Sequence, residues 1–393
     1  MSLPELEILN SIIGRVFRID DYTAGGHADP YLMRYRGQLS LDSVEAYDQL
    51  CERLRPYDLT PLFRIDELGR QVILLVNSLP KPRQSNSWVN VLLFVLTVFS
   101  VMLMGVDVQE TPPPDTWGLI LFLVRNILSG WPFALSLLSI LLAHEFGHYL
   151  AARYHKTAAT LPYFIPLPFS ILGTLGAVIV WKELPRNKRI LFDVGVAGPL
   201  AGLFVAIPIL LYGLSISKVG PISATPGAFL EGNSLLYLMA KYAVFGKLLP
   251  EPASYGSLNP LLYWLRFFFT GTPLPLGGTD VTISSVALAG WAGILVTALN
   301  LLPAGQLDGG HVMYVLFGRK LKKIFPYLVG LLVLLGFFWS GWWLWVALLF
   351  TFGRQTAEPL DQITEIDAPR RALAWLVIFI FFLVFMPVPM ILY

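Results

Sequence analysis

Trp131 to Leu150 reads WPFALSLLSILLAHEFGHYL, apolar enough to cross a bilayer except near its end, where His144, Glu145 and His148 fall. An ionisable side chain at the centre of a membrane helix costs about 2.5–3.5 kcal/mol on insertion scales, so a cluster of them there needs a purpose. The spacing supplies one. Histidines four residues apart project from one helical face, close enough to ligate a single metal ion. Glu145 can take a proton from a water held by such an ion. The competing reading is a structural pair of buried histidines, and the cost of burying them in lipid argues against it. Zinc chemistry is the favoured reading.

Composition points the same way. Hydrophobic residues make up 55% of the 393, charged residues only 14%, and the mean hydropathy is +0.63. Those values describe an integral, multi-pass membrane protein rather than a soluble enzyme. A net charge of +2, with no basic patch interleaved with aromatics, excludes a nucleic-acid partner. Cys51 is the only cysteine, so a disulfide framework and a cysteine-based metal site are both excluded. Zinc must use histidine and carboxylate. No cleavable signal peptide is expected, because the first 86 residues are polar and lack an apolar core behind basic residues.

Residues 1–86 read as a small α+β domain. Arg15–Ile19 and Tyr31–Tyr35 alternate like half-buried strands, and Ser40 is placed to cap a helix with Leu41, Val44, Tyr47, Cys51 and Leu54 as its apolar stripe. Leu62–Ile65 and Gln71–Val76 then form a hairpin around Glu67–Arg70. No catalytic site is expected there; Cys51 reads as core and His27 as solvated. A linker over Pro80–Asn86 leads into 87–393, the membrane domain.

The membrane domain is expected to be mainly α. Spans are read at about residues 88–106, 131–150, 190–215, 283–302 and 372–393, with an interfacial helix at 117–129 and a helical hairpin at 325–353 turning at Ser340–Trp343. Residues 217–282 form a long extracytoplasmic segment. Arg153, His155 and Lys156, then Lys182 to Arg189, then Arg319 to Lys323 mark one side as positive, while the loop Gln109–Asp115 is acidic. That asymmetry puts the N-terminus in the cytoplasm, with a bacterial cell membrane as the setting. Residues 161–181 are apolar but make a poor helix: Pro162, Pro166 and Pro168 break the first half and Gly173 and Gly176 weaken the second. Non-helical backbone at membrane depth survives only where protein or water satisfies it. A re-entrant β-hairpin beside the metal site meets that need, and a broken helix within the bundle is the alternative.

Two histidines leave a catalytic zinc site one protein ligand short. The strong candidate downstream lies in NLLPAGQLDGG, residues 300–310, where Asp308 is an acid beside apolar spans, flanked by glycines that allow close backbone approach. A helix-terminal cap is the other use for an Asp-Gly-Gly, and on its own would be the preferred one. Asn300, two turns earlier, can offer its amide to a substrate carbonyl.

HEFGH within a span, GTLGAV after it, GVAGPLAG in the next span and NLLPAGQLDGG some 160 residues later together resemble the site-2 protease family of intramembrane zinc metalloproteases. The closing pattern WLWVALLFTFGR, PLDQITEIDAPRR and FMPVP is similar to bacterial members. The resemblance covers about residues 88–393 and shows no PDZ or CBS domain. It implies His144, His148 and Asp308 as ligands of one zinc per chain and Glu145 as catalytic base. It also implies Asn300 near the scissile bond and a substrate-binding hairpin formed by Gly173, Thr174, Gly176, Ala177 and Val178. The implied reaction is hydrolysis of peptide bonds in or near the spans of single-pass membrane proteins, within the lipid bilayer. A metal-binding transporter and a non-catalytic membrane scaffold are the rival classes. Nothing in the sequence specifies an oligomer.

Overall fold

The structure, a computed structural model, describes residues 5–26, 29–78, 86–107, 113–222, 229–353 and 358–392. His27, most of the linker at 80–85 and the loop residues 109–112 lie outside these. The chain is mostly helical with several small sheets.

The N-terminal unit begins with α1 (Leu6–Ile13), which the sequence reading has no counterpart for, then β1 (Phe17–Ala24), β2 (Met33–Leu39), α2 (Ser43–Leu54), β3 (Leu59–Ile65) and β4 (Gln71–Asn77). The strands form an antiparallel sheet in the order β1-β2-β4-β3, covered by α1 and α2 over a core including Phe17, Tyr35, Leu50 and Phe63. The cap of α2 is Asp42, whose carboxylate accepts from the Val44 N–H, rather than Ser40. Its buried face is Ala46, Tyr47, Leu50 and Leu54, leaving Leu41 exposed. The β3 edge is not left open. Phe63 donates its N–H to the Leu360 carbonyl (2.9 Å) and accepts from the Gln362 N–H (3.1 Å), so residues 360–362 add to the sheet as a short parallel strand. The other edge of that strand pairs with Pro185 and Arg186.

Three helices are long and apolar enough to cross a membrane: α3 (Ser87–Met104), α5 (Trp131–Tyr154, with the turn before it) and α6 (Lys188–Ser215). Their outer faces carry large exposed apolar side chains such as Trp88, Leu135 and Phe204, the pattern of a lipid-facing surface. Between α3 and α5 lies the short α4 (Thr116–Arg125), at the place expected for an interfacial helix. Between α5 and α6 lies an antiparallel hairpin of β5 (Tyr163–Pro166) and β6 (Thr174–Val178), not a broken helix. Its backbone groups find partners on α3: the Asn90 amide donates to the Leu161 and Pro162 carbonyls, and the Ser100 hydroxyl to the Gly173 carbonyl.

After α6 come β7 (Lys218–Pro221), β8 (Phe229–Glu231), α7 (Leu235–Phe245), α8 (Pro260–Thr270) and β9 (Thr279–Thr282), a compact cap at the end of the bundle away from the N-terminal unit. The chain returns through α9 (Ser285–Asn300), α10 (Asp308–Phe317), the helical pair α11 (Leu321–Gly336) and α12 (Gly341–Phe352), and α13 (Ala368–Val384). The last span is shorter than the expected 372–393. Pro387 and Pro389 cannot continue a helix, and β10 (Met390–Leu392) turns back to pair with β8. Helices α5, α6 and α9 pack on one another at the centre, and α10 packs on α6.

Candidate metal centre

His144 and His148 leave α5 on one face, as four-residue spacing requires, with ring centroids 4.8 Å apart. Their Nε2 atoms stand 3.2 Å from each other. Asp308 opens α10 and makes no capping bond; its carboxylate reaches back across the bundle instead, 3.4 Å from His144 Nε2 and 3.3 Å from His148 Nε2. Asp308 thus stands in the first turn of α10 with its carboxylate turned to the histidines rather than to the helix end. His148 Nδ1–H donates to the Val194 carbonyl of α6 (2.7 Å), which leaves the Nε2 lone pair for a ligand.

The three donor atoms fit zinc. Bonds of about 2.0–2.2 Å at tetrahedral angles put neighbouring donors about 3.3–3.5 Å apart, the spacing found here. Two imidazole nitrogens and a carboxylate converge on one point, an arrangement that a cation held between them would satisfy. Glu145 is buried beside them, and the Asn300 amide nitrogen, at the end of α9, lies 3.2 Å from His144 Nε2.

Glycines on α6 make this approach possible. A Cβ at Gly198 would stand 2.1 Å from His148 Nε2, and one at Gly202 would press on His144 at 3.1 Å. Within HEFGH itself, a Cβ at Gly147 would stand 2.5 Å from the Ala197 carbonyl oxygen. The spacing of small residues in GVAGPLAG therefore serves the imidazoles as well as helix packing.

The group opens into a cavity of about 1030 Å³, lined at its base by His144, Glu145, His148, Asn300 and Asp308. One wall is the stretch Ala177–Trp181, continuing β6; among the described residues no strand pairs with its outer edge, where the Glu145 carboxylate accepts from the Ile179 N–H. Arg64 of β3, Lys322 of α11 and Glu358 also line it. Of the five hairpin residues read from the sequence, Ala177 and Val178 reach the cavity wall. Gly173 and Thr174 shape the turn instead. Gly173 has φ +72° and packs so tightly on Ser100 and Val101 that any Cβ would meet backbone at 2.7 Å. The Thr174 hydroxyl donates to the Ile165 carbonyl and accepts from the Gly176 N–H, stapling the hairpin. Gly176, at φ +95°, lies in open space where only glycine takes that backbone conformation freely.

Several polar lining residues, Arg64, Gln306, Lys322, Glu358 and His311, have no counterpart among the site residues read from the sequence. His311, three residues after Asp308, is buried and borders the same cavity. Its sequence signal is a histidine on the same helical face as Asp308, one turn further on.

Residues 132–337, 206 of the 393, match the family model described as Peptidase family M50. A protein named probable zinc metalloprotease EGY1, chloroplastic, from Oryza sativa subsp. japonica is 30% identical over 80% of this chain and 53% of its own length. Its Arabidopsis thaliana namesake is 28% identical over 80% of this chain and 56% of its own length. A probable zinc metalloprotease EGY2, chloroplastic, of Arabidopsis thaliana is 27% identical over 99% of this chain and 66% of its own length. The chain thus spans about half the length of the first two relatives. These relatives are plant proteins named as chloroplastic, so they lend no support to a bacterial cell membrane. Both halves of the metal centre, α5 and the start of α10, fall inside the matched stretch, and on that match the chain belongs to peptidase family M50, the family of the site-2 proteases.

Proposed function

We propose that this chain is an intramembrane zinc metalloendopeptidase that hydrolyses peptide bonds in or near the spans of single-pass membrane proteins. The observation that carries the reading is the convergence of His144, His148 and Asp308 beside Glu145, at the base of a cavity with the outer edge of β6 along one wall.

His144, His148 and Asp308 would hold the zinc. Bound there, the ion supplies Lewis acidity, polarising a peptide carbonyl and acidifying water. Glu145 is the base that accepts the water proton and then delivers it to the leaving amide nitrogen. Asn300 donates its amide N–H to the scissile carbonyl oxygen. A substrate span must unwind locally, because a helix hides its peptide bonds. The edge from Ala177 to Trp181 takes up the freed segment as an added strand and replaces its lost hydrogen bonds. Ala177 and Val178 are the hairpin residues in contact with substrate.

Residues 1–86 and 87–393 act as two domains, the second carrying the chemistry as a multi-pass membrane unit with a re-entrant hairpin. Basic residues at Arg153–Lys156, Lys182–Arg189 and Lys320–Lys323 gather on the side of the N-terminal domain. By the positive-inside rule this side, and so the N-terminus, faces the compartment where the chain is synthesised.

The test is cleavage of a single-pass substrate in vesicles. Wild-type protein should cleave it, a chelator should stop it, and Glu145→Gln should cut the rate by about 10²–10⁴-fold while the protein keeps one zinc. Chelator-resistant cleavage overturns the zinc assignment. Zinc flux without cleavage makes the chain a transporter.

A further inference from the structure

We propose that His311 contacts substrate: its imidazole donates a hydrogen bond to the backbone carbonyl next to the scissile peptide group, on the side of the cavity nearest the N-terminal domain. The inference rests on the proteolytic reading above and adds a residue to it.

Helix α6 carries Gly195, Gly198 and Gly202 along one face, and each glycine seats a histidine from a neighbouring helix. A Cβ at Gly202 would meet His144 Cβ at 3.1 Å, one at Gly198 would meet His148 Nε2 at 2.1 Å, and one at Gly195 would meet His311 Cβ at 3.0 Å. Three imidazoles therefore stand in file along α6. With a rise of 1.5 Å per residue, the His311 seat lies about 4.5 Å beyond that of His148, toward the start of α6. Two members of the row belong to the metal centre. The third borders the same cavity, is only 7% exposed, and among the described residues has no hydrogen-bond partner for its ring.

Position along the other axis is fixed by α10 and by the hairpin. His311 is one turn after Asp308, on the same face of α10. Its ring lies 6.2 Å from that of Trp181, centroid to centroid, at the far end of the strand edge Ala177–Trp181. Asn300 occupies the opposite end of the row, beside His144. Two polar side chains outside the ligand set thus flank the metal centre, Asn300 at its inner end and His311 at its outer end. An extended peptide advances about 3.3 Å per residue, so an offset of about 4.5 Å brings His311 to the peptide group adjoining the scissile one. A carbonyl freed from a substrate helix needs a donor at this depth. An imidazole keeps at least one N–H in either protonation state and can supply it.

Two variants separate the possible roles of the ring. His311→Phe keeps an aromatic ring against Gly195 and Trp181 but loses the donor, whereas His311→Gln loses the ring and keeps an N–H. Binding of an extended, fluorescent peptide is measured first in the Glu145→Gln background, where no turnover is needed. His311→Phe should weaken binding about tenfold, the scale of one lost hydrogen bond, with zinc per chain unchanged, and His311→Gln should recover most of the loss. In the Glu145 protein, kcat/KM on the same peptide should follow the same order. Full binding by His311→Phe with poor binding by His311→Gln overturns the proposal, because the ring would then serve packing. Loss of zinc in both variants overturns it too, because the ring would then be a ligand. Wild-type protein that binds the peptide but never cleaves it sinks the proteolytic reading, and the binding order still decides the role of His311.

Discussion

Two sets of buried ionisable groups sit at opposite ends of the same bundle, and they differ in what surrounds them. At the end near the N-terminal domain, His144, Glu145, His148 and Asp308 face an open cavity, and their lone pairs converge. In the cap at the other end, Glu231, Tyr237, Lys241 and Asp280 pack against one another, with the Lys241 ammonium making ionic and ring contacts but no hydrogen bond among the described residues. The Tyr237 hydroxyl donates to Glu231 (2.8 Å), while the Lys241 ammonium lies 3.6 Å from Asp280 and 4.5 Å over the Tyr237 ring. Burial of charge is common to both. Convergence of acceptors onto an accessible point belongs to the first alone, and only that arrangement asks for a metal.

Gly198→Ala should give the largest effect at the metal end. The added methyl takes the place of His148 Nε2, so zinc content should fall well below one per chain and cleavage by more than about 100-fold. A variant that still holds one zinc as tightly as wild-type would break the account of the glycine row.

At the far end, Lys241→Met leaves the buried Asp280 carboxylate without its cation, and breaking a buried pair in this way costs about 3–5 kcal/mol. Stability in detergent should drop accordingly, while the folded fraction keeps its zinc. Loss of zinc from that folded fraction would mean the two ends are coupled.

A gentler probe is pH. Burial, and then the neighbouring Asp280 charge, push the Glu231 carboxyl up to about 7, against the lowering pull of Lys241 and the Tyr237 hydroxyl. The folded state holds this proton more tightly than the unfolded chain. Its contribution is therefore complete below about 4.5 and lost as pH rises through about 7, on the order of 3 kcal/mol in all. Glu231→Gln should flatten that part of the stability profile, and an unchanged slope would assign it to another group.

The smallest effect is expected at the cavity wall. Ala177→Pro removes one backbone donor from β6 without touching a ligand, so cleavage of peptide and of membrane-spanning substrate should fall together, by about tenfold. Equal cleavage by a folded variant would reduce the hairpin to packing.

What the sequence made legible follows from short range and high cost. HEFGH puts two imidazoles on one face by helical geometry alone, and prolines 162, 166 and 168 forbid a helix where the hairpin lies. Asp308 needed its spatial partners to be told from a cap. The start of α2 was misplaced by two residues because Ser40 and Asp42 both have capping chemistry, and the choice shifted the phase of its buried face. The end of the last span is illegible because apolar residues continue past Val384, where the helix stops just ahead of Pro387. The cap cluster was illegible for a different reason: its members lie at 231, 237, 241 and 280, with no period to connect them.

The strand that completes the N-terminal sheet is encoded almost 300 residues after the edge it covers, Phe63 against Asp361. At about 5–20 residues per second, a ribosome needs about 15–60 s to make the intervening chain. Throughout that interval the β3 edge is born and exposed while the helices that follow are being inserted, and an unpaired edge is a template for the wrong partner. Biogenesis of this protein must therefore shield a nascent sheet until nearly the whole membrane domain has been translated.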